Sequence, residues 1–386
     1  MNLTMRPTKD QKVRRTVRST PDSRRLAAEI AEELMQDDIS LVLLFCSPAL
    51  SSDLFAEEIS RRFAGIPVVG CTTAGEITPF GHCHDSVTGV SLAAPDFHAS
   101  VHGIADVRRF GVAEGRDLVQ KALRDLQQRA PDWPMEQIFA MLLIDGLDAC
   151  EESVVSAIHC ALGPIPLFGG SAADELSFGT TKVLWDAAFR QHSAALVLVA
   201  TNHPFAVFKT EPFACSGEKM VVTAADPVRR IVQEINAEPA AEEYARIVGA
   251  EIDQLTPAIF ANHPVVVRVG NVPYVRSIQK VNPDLSLTFF CAIDEGIVFT
   301  IAENFNIEED LQRLFDSLRR KLDKPEIIIG CDCILRSPEL DQPEIGGRIS
   351  ELMRDNNVVG FNTYGEQYQA MHMNQTFTGV AIGRRE

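Results

Sequence analysis

The feature that most limits what this chain can fold into is a turn written three times. Ile66-Pro67-Val68-Val69-Gly70-Cys71-Thr72-Thr73-Ala74-Gly75-Glu76 recurs ninety-nine positions on as Ile165-Pro166-Leu167-Phe168-Gly169-Gly170-Ser171-Ala172-Ala173-Asp174-Glu175. A third copy, Val358-Val359-Gly360-Phe361-Asn362-Thr363-Tyr364-Gly365-Glu366, lies at an offset of 290 from the first, and the same offset places Thr378-Gly379-Val380 on Thr88-Gly89-Val90 and His372 on His82. In each copy a β-branched or apolar run ends at a glycine, small polar residues follow, and a carboxylate closes the turn. Three copies of one supersecondary unit predict a repeated βαββ architecture.

The rest of the chain agrees with α/β. Leu26, Ile30 and Leu34 recur at helical spacing, as do Leu118, Ala122 and Leu126, and then Leu311, Phe315 and Leu318. Strand-like runs such as LVLLFC, ending at Cys46, alternate with them. The expectation is repeated strand-helix-strand units forming mixed sheets with packed helices, in two domains, since 386 residues exceed what one core usually organises. Asp226-Pro227 reads as a helix start, and Val228 to Ile247 as two helices broken at Pro239. The expected division is a basic, flexible tail over 1–25, an N-terminal domain over 26–225 and a C-terminal domain over 226–386.

Charge removes several functions. The net formal charge is −17, and the tail carries eight Lys/Arg against Asp10 and Asp22, so the remainder is near −23. Such a body repels polyphosphate, and nucleic acid is not an expected partner. No apolar run reaches about 18 residues, so no membrane span is expected, and no apolar segment follows the basic tail as a secretory signal requires. The nine cysteines are odd in number and several, including Cys46, Cys71, Cys291, Cys331 and Cys333, sit in apolar strands. Free buried thiols point to a reducing compartment, the cytoplasm.

Nucleotide fingerprints and the G-x-S-x-G nucleophile elbow are missing; Gly169-Gly170-Ser171-Ala172-Ala173 lacks the closing glycine. The repeated turns are the first candidate ligand pocket, with Gly70, Cys71, Thr72, Gly169, Gly170, Ser171, Gly360, Asn362 and Glu366 as its residues, because loops at strand ends build sites in α/β sheets. The same residues read equally as scaffold: Thr and Ser hydroxyls bond their own turn, and Glu76, Glu175 and Glu366 anchor it through N–H groups. A carboxylate enzyme using Asp145, Asp174 or Glu175 is a second possibility. Gly81-His82-Cys83-His84-Asp85 and Met371-His372-Met373 concentrate imidazole and sulfur at equivalent repeat positions. Neither matches structural zinc spacing. A haem iron asks only for one imidazole, or an imidazole with a second soft ligand, in an apolar pocket; His372 and His82 are the candidates, and without C-x-x-C-H any haem is b-type.

At these motifs the sequence resembles the FIST family of sensory modules. VVGCTTAGEI and PLFGGSAADE resemble its N-terminal half; EYARIVG, GCDCILR and NVVGFNTYGEQ, with a following His-x-Asn-x-Thr, resemble its C-terminal half. The resemblance implies small-ligand sensing, signalling to a partner and no catalysis. Chains of this length without a fused output domain resemble the subgroup that binds haem b and senses nitric oxide, regulating a histidine kinase or a cyclic-di-GMP enzyme. The expectation that follows is a non-catalytic haem and nitric-oxide sensor. A haem-free receptor for a small metabolite such as an amino acid and a carboxylate-dependent enzyme stand as alternatives, and a homodimer is compatible with exposed strand edges.

Overall fold

A computed structural model describes residues 12–385 except 79, 176, 211–214, 270–271, 303–305 and 337–342. The first unit comprises β1 (Val13–Arg18), α1 (Ser23–Leu34), β2 (Ile39–Cys46), α2 (Asp53–Arg62), β3 (Val68–Thr72), β4 (Glu76–Thr78), β5 (Gly81–Cys83) and β6 (Val87–Ala93). The second repeats it with β7 (Phe97–Ile104), α3 (Val112–Arg129), β8 (Ile138–Ile144), α4 (Glu151–Leu162), β9 (Leu167–Ser171), β10 (Val183–Trp185), β11 (Ala188–Arg190) and β12 (Ala194–Thr201). The third opens with β13 (Phe205–Lys209) and is then interrupted.

The interruption is a module of β14 (Cys215–Asp226), β15 (Ile231–Ile235), β16 (Glu238–Pro239), α5 (Ala240–Val248), α6 (Pro257–Asn262), β17 (Val265–Val269), β18 (Val272–Arg276), β19 (Ile278–Val281), β20 (Leu287–Phe289) and β21 (Val298–Ala302). These strands form one eight-stranded sheet with its own core around Tyr244, Phe260, Phe289 and Phe299. The third unit resumes with α7 (Ile307–Leu322), β22 (Ile327–Cys333), α8 (Pro343–Asp355), β23 (Val358–Thr363), β24 (Glu366–Tyr368), β25 (Met371–Met373) and β26 (Phe377–Ile382).

The three units build three six-stranded sheets, each with one parallel pair, β2/β3, β8/β9 or β22/β23, joined by a crossover helix. Each unit also gives its short hairpin away. β4–β5 pairs with β23 of the third unit, β24–β25 with β9 of the second, and β10–β11 with β3 of the first. The exchange closes a ring. The inner faces of all three sheets meet in one core that includes Phe45, Val69, Phe139, Phe168, Ile329 and Phe361, and the helices cover the outer faces.

The mixed α/β architecture with repeated units is as expected. Two local expectations fail. Asp226 ends β14 and accepts an N–H from Arg229 in a turn, and Val228 to Ile247 holds two strands, β15 and β16, before its single helix. Ile231, Val232 and Ile235 carry β-branched side chains suited to a sheet, and Asn236 and Ala237, both at positive φ, reverse the chain into β16. Part of the basic segment is also ordered: Val13–Arg18 pairs antiparallel with β6, and Asp22 caps α1. Residues 1–11 of the expected tail lie outside the described residues. Among the described residues no helix is long and apolar enough to cross a membrane.

Candidate functional site

The three glycine turns come together. Ala173 N–H donates to Thr72 O (2.9 Å), Ala74 N–H to Asn362 O (2.9 Å) and Ser171 N–H to Gly365 O (2.9 Å), so every turn is bonded to the other two. Their glycines serve close packing. A Cβ on Gly70, Gly169 or Gly360 would stand 1.9, 2.0 or 1.8 Å from the carbonyl oxygen of Leu44, Leu142 or Gly330 on the neighbouring parallel strand. Gly170 faces the Phe361 ring, and Cys71 is buried in the central core. Thr72 Oγ1 accepts from Lys182 N–H (3.0 Å) and Ser171 Oγ from the Gln367 amide (2.9 Å). Ala74, Ala173, Tyr364, Phe290 and Leu335 fill the junction.

The closing carboxylates act as anchors. Glu76 accepts from Thr73 Oγ1 (2.5 Å), Ser86 N–H (3.2 Å) and Ser86 Oγ (2.5 Å), and Glu366 from Thr376 N–H (3.1 Å) and Oγ1 (2.7 Å). Burial raises both, Glu76 to about 7. In the second unit the exposed Glu175 leaves this task to Asp174, which accepts from Gly179 N–H (2.8 Å), Thr180 N–H (2.5 Å) and the Tyr364 hydroxyl. Asp145 is likewise taken up by Thr181 Oγ1 (2.5 Å), Leu147 N–H (3.0 Å) and His192 N–H (2.7 Å). Its neighbours Asp148 and His192 bond each other at 2.9 Å.

The two histidines are equivalent in register but not in surroundings. His82 pairs with Ile77 and His372 with Gln367, each on the second strand of an exchanged hairpin. The His82 ring is shielded from solvent, and burial lowers it to about 4 although the Asn362 side chain favours its charged form. His372 stands where three parts of the chain meet: the first turn of α4, the inserted module and the β24–β25 hairpin. Its Nδ1 lies 3.2 Å from Gln367 Nε2, its Nε2 lies 4.0 Å from Glu151 Oε1, and its carbonyl accepts from Arg276 (2.8 Å).

Around it the charges are paired. Arg230 Nη2 reaches Glu151 Oε2 at 2.7 Å and Glu152 Oε2 at 2.5 Å, and Glu152 Oε1 accepts from Ala292 N–H at 2.6 Å. The next residue back, Cys291, donates its thiol to Asn374 Oδ1 (2.9 Å), and Ser277 N–H also donates to that oxygen (3.2 Å). Glu152, Cys291 and His372 each bring a ligand-type atom within 4.8 Å of the other two. Glu151 and His372 are buried, whereas the Glu152 side chain is 26% exposed and is the face solvent reaches. Burial lowers His372 despite both glutamates, and it raises Cys291. For Glu152 burial favours the acid, but the His372 imidazole, Arg230 and the Ala292 N–H outweigh it and hold the carboxyl below its usual range.

These surroundings correct two expectations. A haem-sensing role needs an apolar pocket beside the ligating imidazole; His372 instead packs among Glu151, Glu152, Arg230 and Arg276, and His82 sits in another sheet. The haem and nitric-oxide sensor is therefore not the function this site serves. The expected lack of catalysis also fails, because a thiol, an imidazole and an ionised carboxylate converge with two arginines. Of these, Glu151, Glu152, Arg230 and Arg276 carried no sequence signal. Cys291 was visible only as a strand-end thiol, and Asn374 only within His-x-Asn-x-Thr.

Models of the FIST N domain and the FIST C domain match residues 40–238 and 240–369. No curated protein matches. Among solved structures, the cyanuric acid hydrolase of A. caulinodans is 12% identical, with 97% of this chain and 99% of that one covered and a TM-score of 0.38. A second cyanuric acid hydrolase structure is 8% identical over 97% and 100%, with a TM-score of 0.40. PurL of T. maritima, complexed with ATP, is 12% identical over 96% and 71%, with a TM-score of 0.22.

Proposed function

The chain belongs to the FIST family, and from that premise we propose that it is an enzyme acting on a small polar substrate by carboxylate-dependent hydrolysis. The observation that carries this reading is the Glu152–Cys291–His372 cluster, assembled by three separate segments and open to solvent at Glu152. An ionised carboxylate next to an imidazole is a proton acceptor beside a group that can bind or relay a proton. Arg230 fixes Glu152 from one side and the Ala292 N–H from the other, so the carboxylate is held in place. Arg276 fixes the His372 backbone. The carboxylate reading thereby moves from Asp145, Asp174 and Glu175, whose roles are turn anchoring or exposure, to Glu152.

The test is a turnover screen of the full chain over amides, cyclic amides, esters and phosphoesters. Glu152→Gln should lower kcat by about 10²-fold or more with unchanged far-ultraviolet dichroism, while Cys160→Ser, at an exposed thiol, should leave it alone. Absence of turnover across the screen would sink the proposal. Saturable binding of an amino acid without turnover would instead support the receptor alternative.

A further inference from the structure

We propose that Glu152, Cys291 and His372 form a site for one divalent cation of the zinc type. The inference rests on the reading of this cluster as a reacting centre and names the cofactor that would serve it. Three protein ligands of mixed carboxylate, thiolate and imidazole chemistry, with a fourth position left to water, are the pattern of a catalytic zinc centre, as distinct from the closed four-ligand structural kind. The donor atoms lie within 4.8 Å of one another. Tetrahedral bonds of about 2.0–2.3 Å would draw them together by roughly an ångström.

The neighbours suit a cation. Glu151, buried beside Glu152, keeps Arg230 compensated at 2.7 Å, so a metal that shares the Glu152 carboxylate does not leave the guanidinium unpaired. Thiolate and Glu152 together neutralise a dication, which removes the cost of burying it. His372 turns Nε2 toward Glu151 Oε1 (4.0 Å), while Nδ1 is met by the Gln367 amide. The oxygen of that amide is buried and has no partner. A half-turn of the amide lets it accept the Nδ1 proton, the outer-shell bond that orients a ligating histidine, in exchange for the amide's bonds to Ser171 Oγ (2.9 Å) and the Gly365 carbonyl (3.1 Å). Gly365 makes room for the ring, since a Cβ there would stand 2.2 Å from His372 Cε1 and 2.6 Å from Nε2.

Binding is written as one cation in and the Cys291 thiol proton out to solvent, with the Asn374 hydrogen bond given up. The experiment titrates Co²⁺ into the full chain and follows near-ultraviolet thiolate-to-cobalt charge transfer, tetrahedral visible bands and proton release in weak buffer. One equivalent should give the band and release a proton. Cys291→Ser, checked for folding by dichroism, should lose the band, Cys160→Ser should keep it, and His372→Gln should weaken Zn²⁺ binding in chelator competition by at least about tenfold. No band in the wild type, or an unchanged band in Cys291→Ser, overturns the inference. Turnover without the band overturns the metal site and spares the enzyme reading; the band without turnover does the reverse.

Discussion

At the residue scale the most instructive group is Glu76, a carboxylate sealed inside a turn. Three hydrogen bonds favour its charge, but burial dominates and raises it to about 7. A group raised on folding contributes stability that is full below its unfolded value near 4.5 and is lost as pH rises through 7. The penalty reaches about 3 kcal/mol at alkaline pH. Glu76→Gln removes that pH dependence, so the stability of the variant relative to wild type, from denaturant midpoints, should climb between pH 5 and 8. A constant difference would show that the carboxyl titrates normally.

At the element scale the exchanged hairpins explain why the turns were conspicuous in the sequence. Each turn must end a buried strand, bond two other turns and send a hairpin into the next sheet. Tyr364 shows the coupling: its hydroxyl donates to Asp174 of another unit, and its ring stacks on Phe178 at 4.9 Å. Tyr364→Phe leaves a buried carboxylate oxygen short of a donor and should cost about 1–3 kcal/mol in equilibrium unfolding; a loss below the scatter of the midpoints would mean water or another donor replaces it. The helix expected at Asp226 was lost at this scale too, because β15 takes its identity from pairing with the adjacent β14 and with β20, the second of which lies beyond the local window.

At the scale of the whole molecule the inserted module is tied to the repeat core through Arg230. That guanidinium bonds Glu151 and Glu152 of α4 and the carbonyl of Phe290. Burial opposes its charge and the two glutamates more than restore it. Removing one partner of a buried ion pair costs about 3–5 kcal/mol, because the other charge is stranded. Arg230→Met should therefore destabilise by that amount, with amide exchange quickening first in the module and at the first turn of α4. Uniform exchange across both bodies would argue against Arg230 as their link.

The α/β class, the three units and the equivalence of His82 with His372 were legible in the sequence, because strand-ending glycines and apolar periodicity are local demands that every copy must meet. The ring of exchanged hairpins was not legible, since pairing between units depends on contacts hundreds of residues apart. Neither was the cluster at α4: Glu152, Cys291 and His372 are separated by more than two hundred positions in total, share no motif and acquire meaning only when the inserted module folds against the core. Burial then sets their protonation, and burial is a property of the assembled molecule.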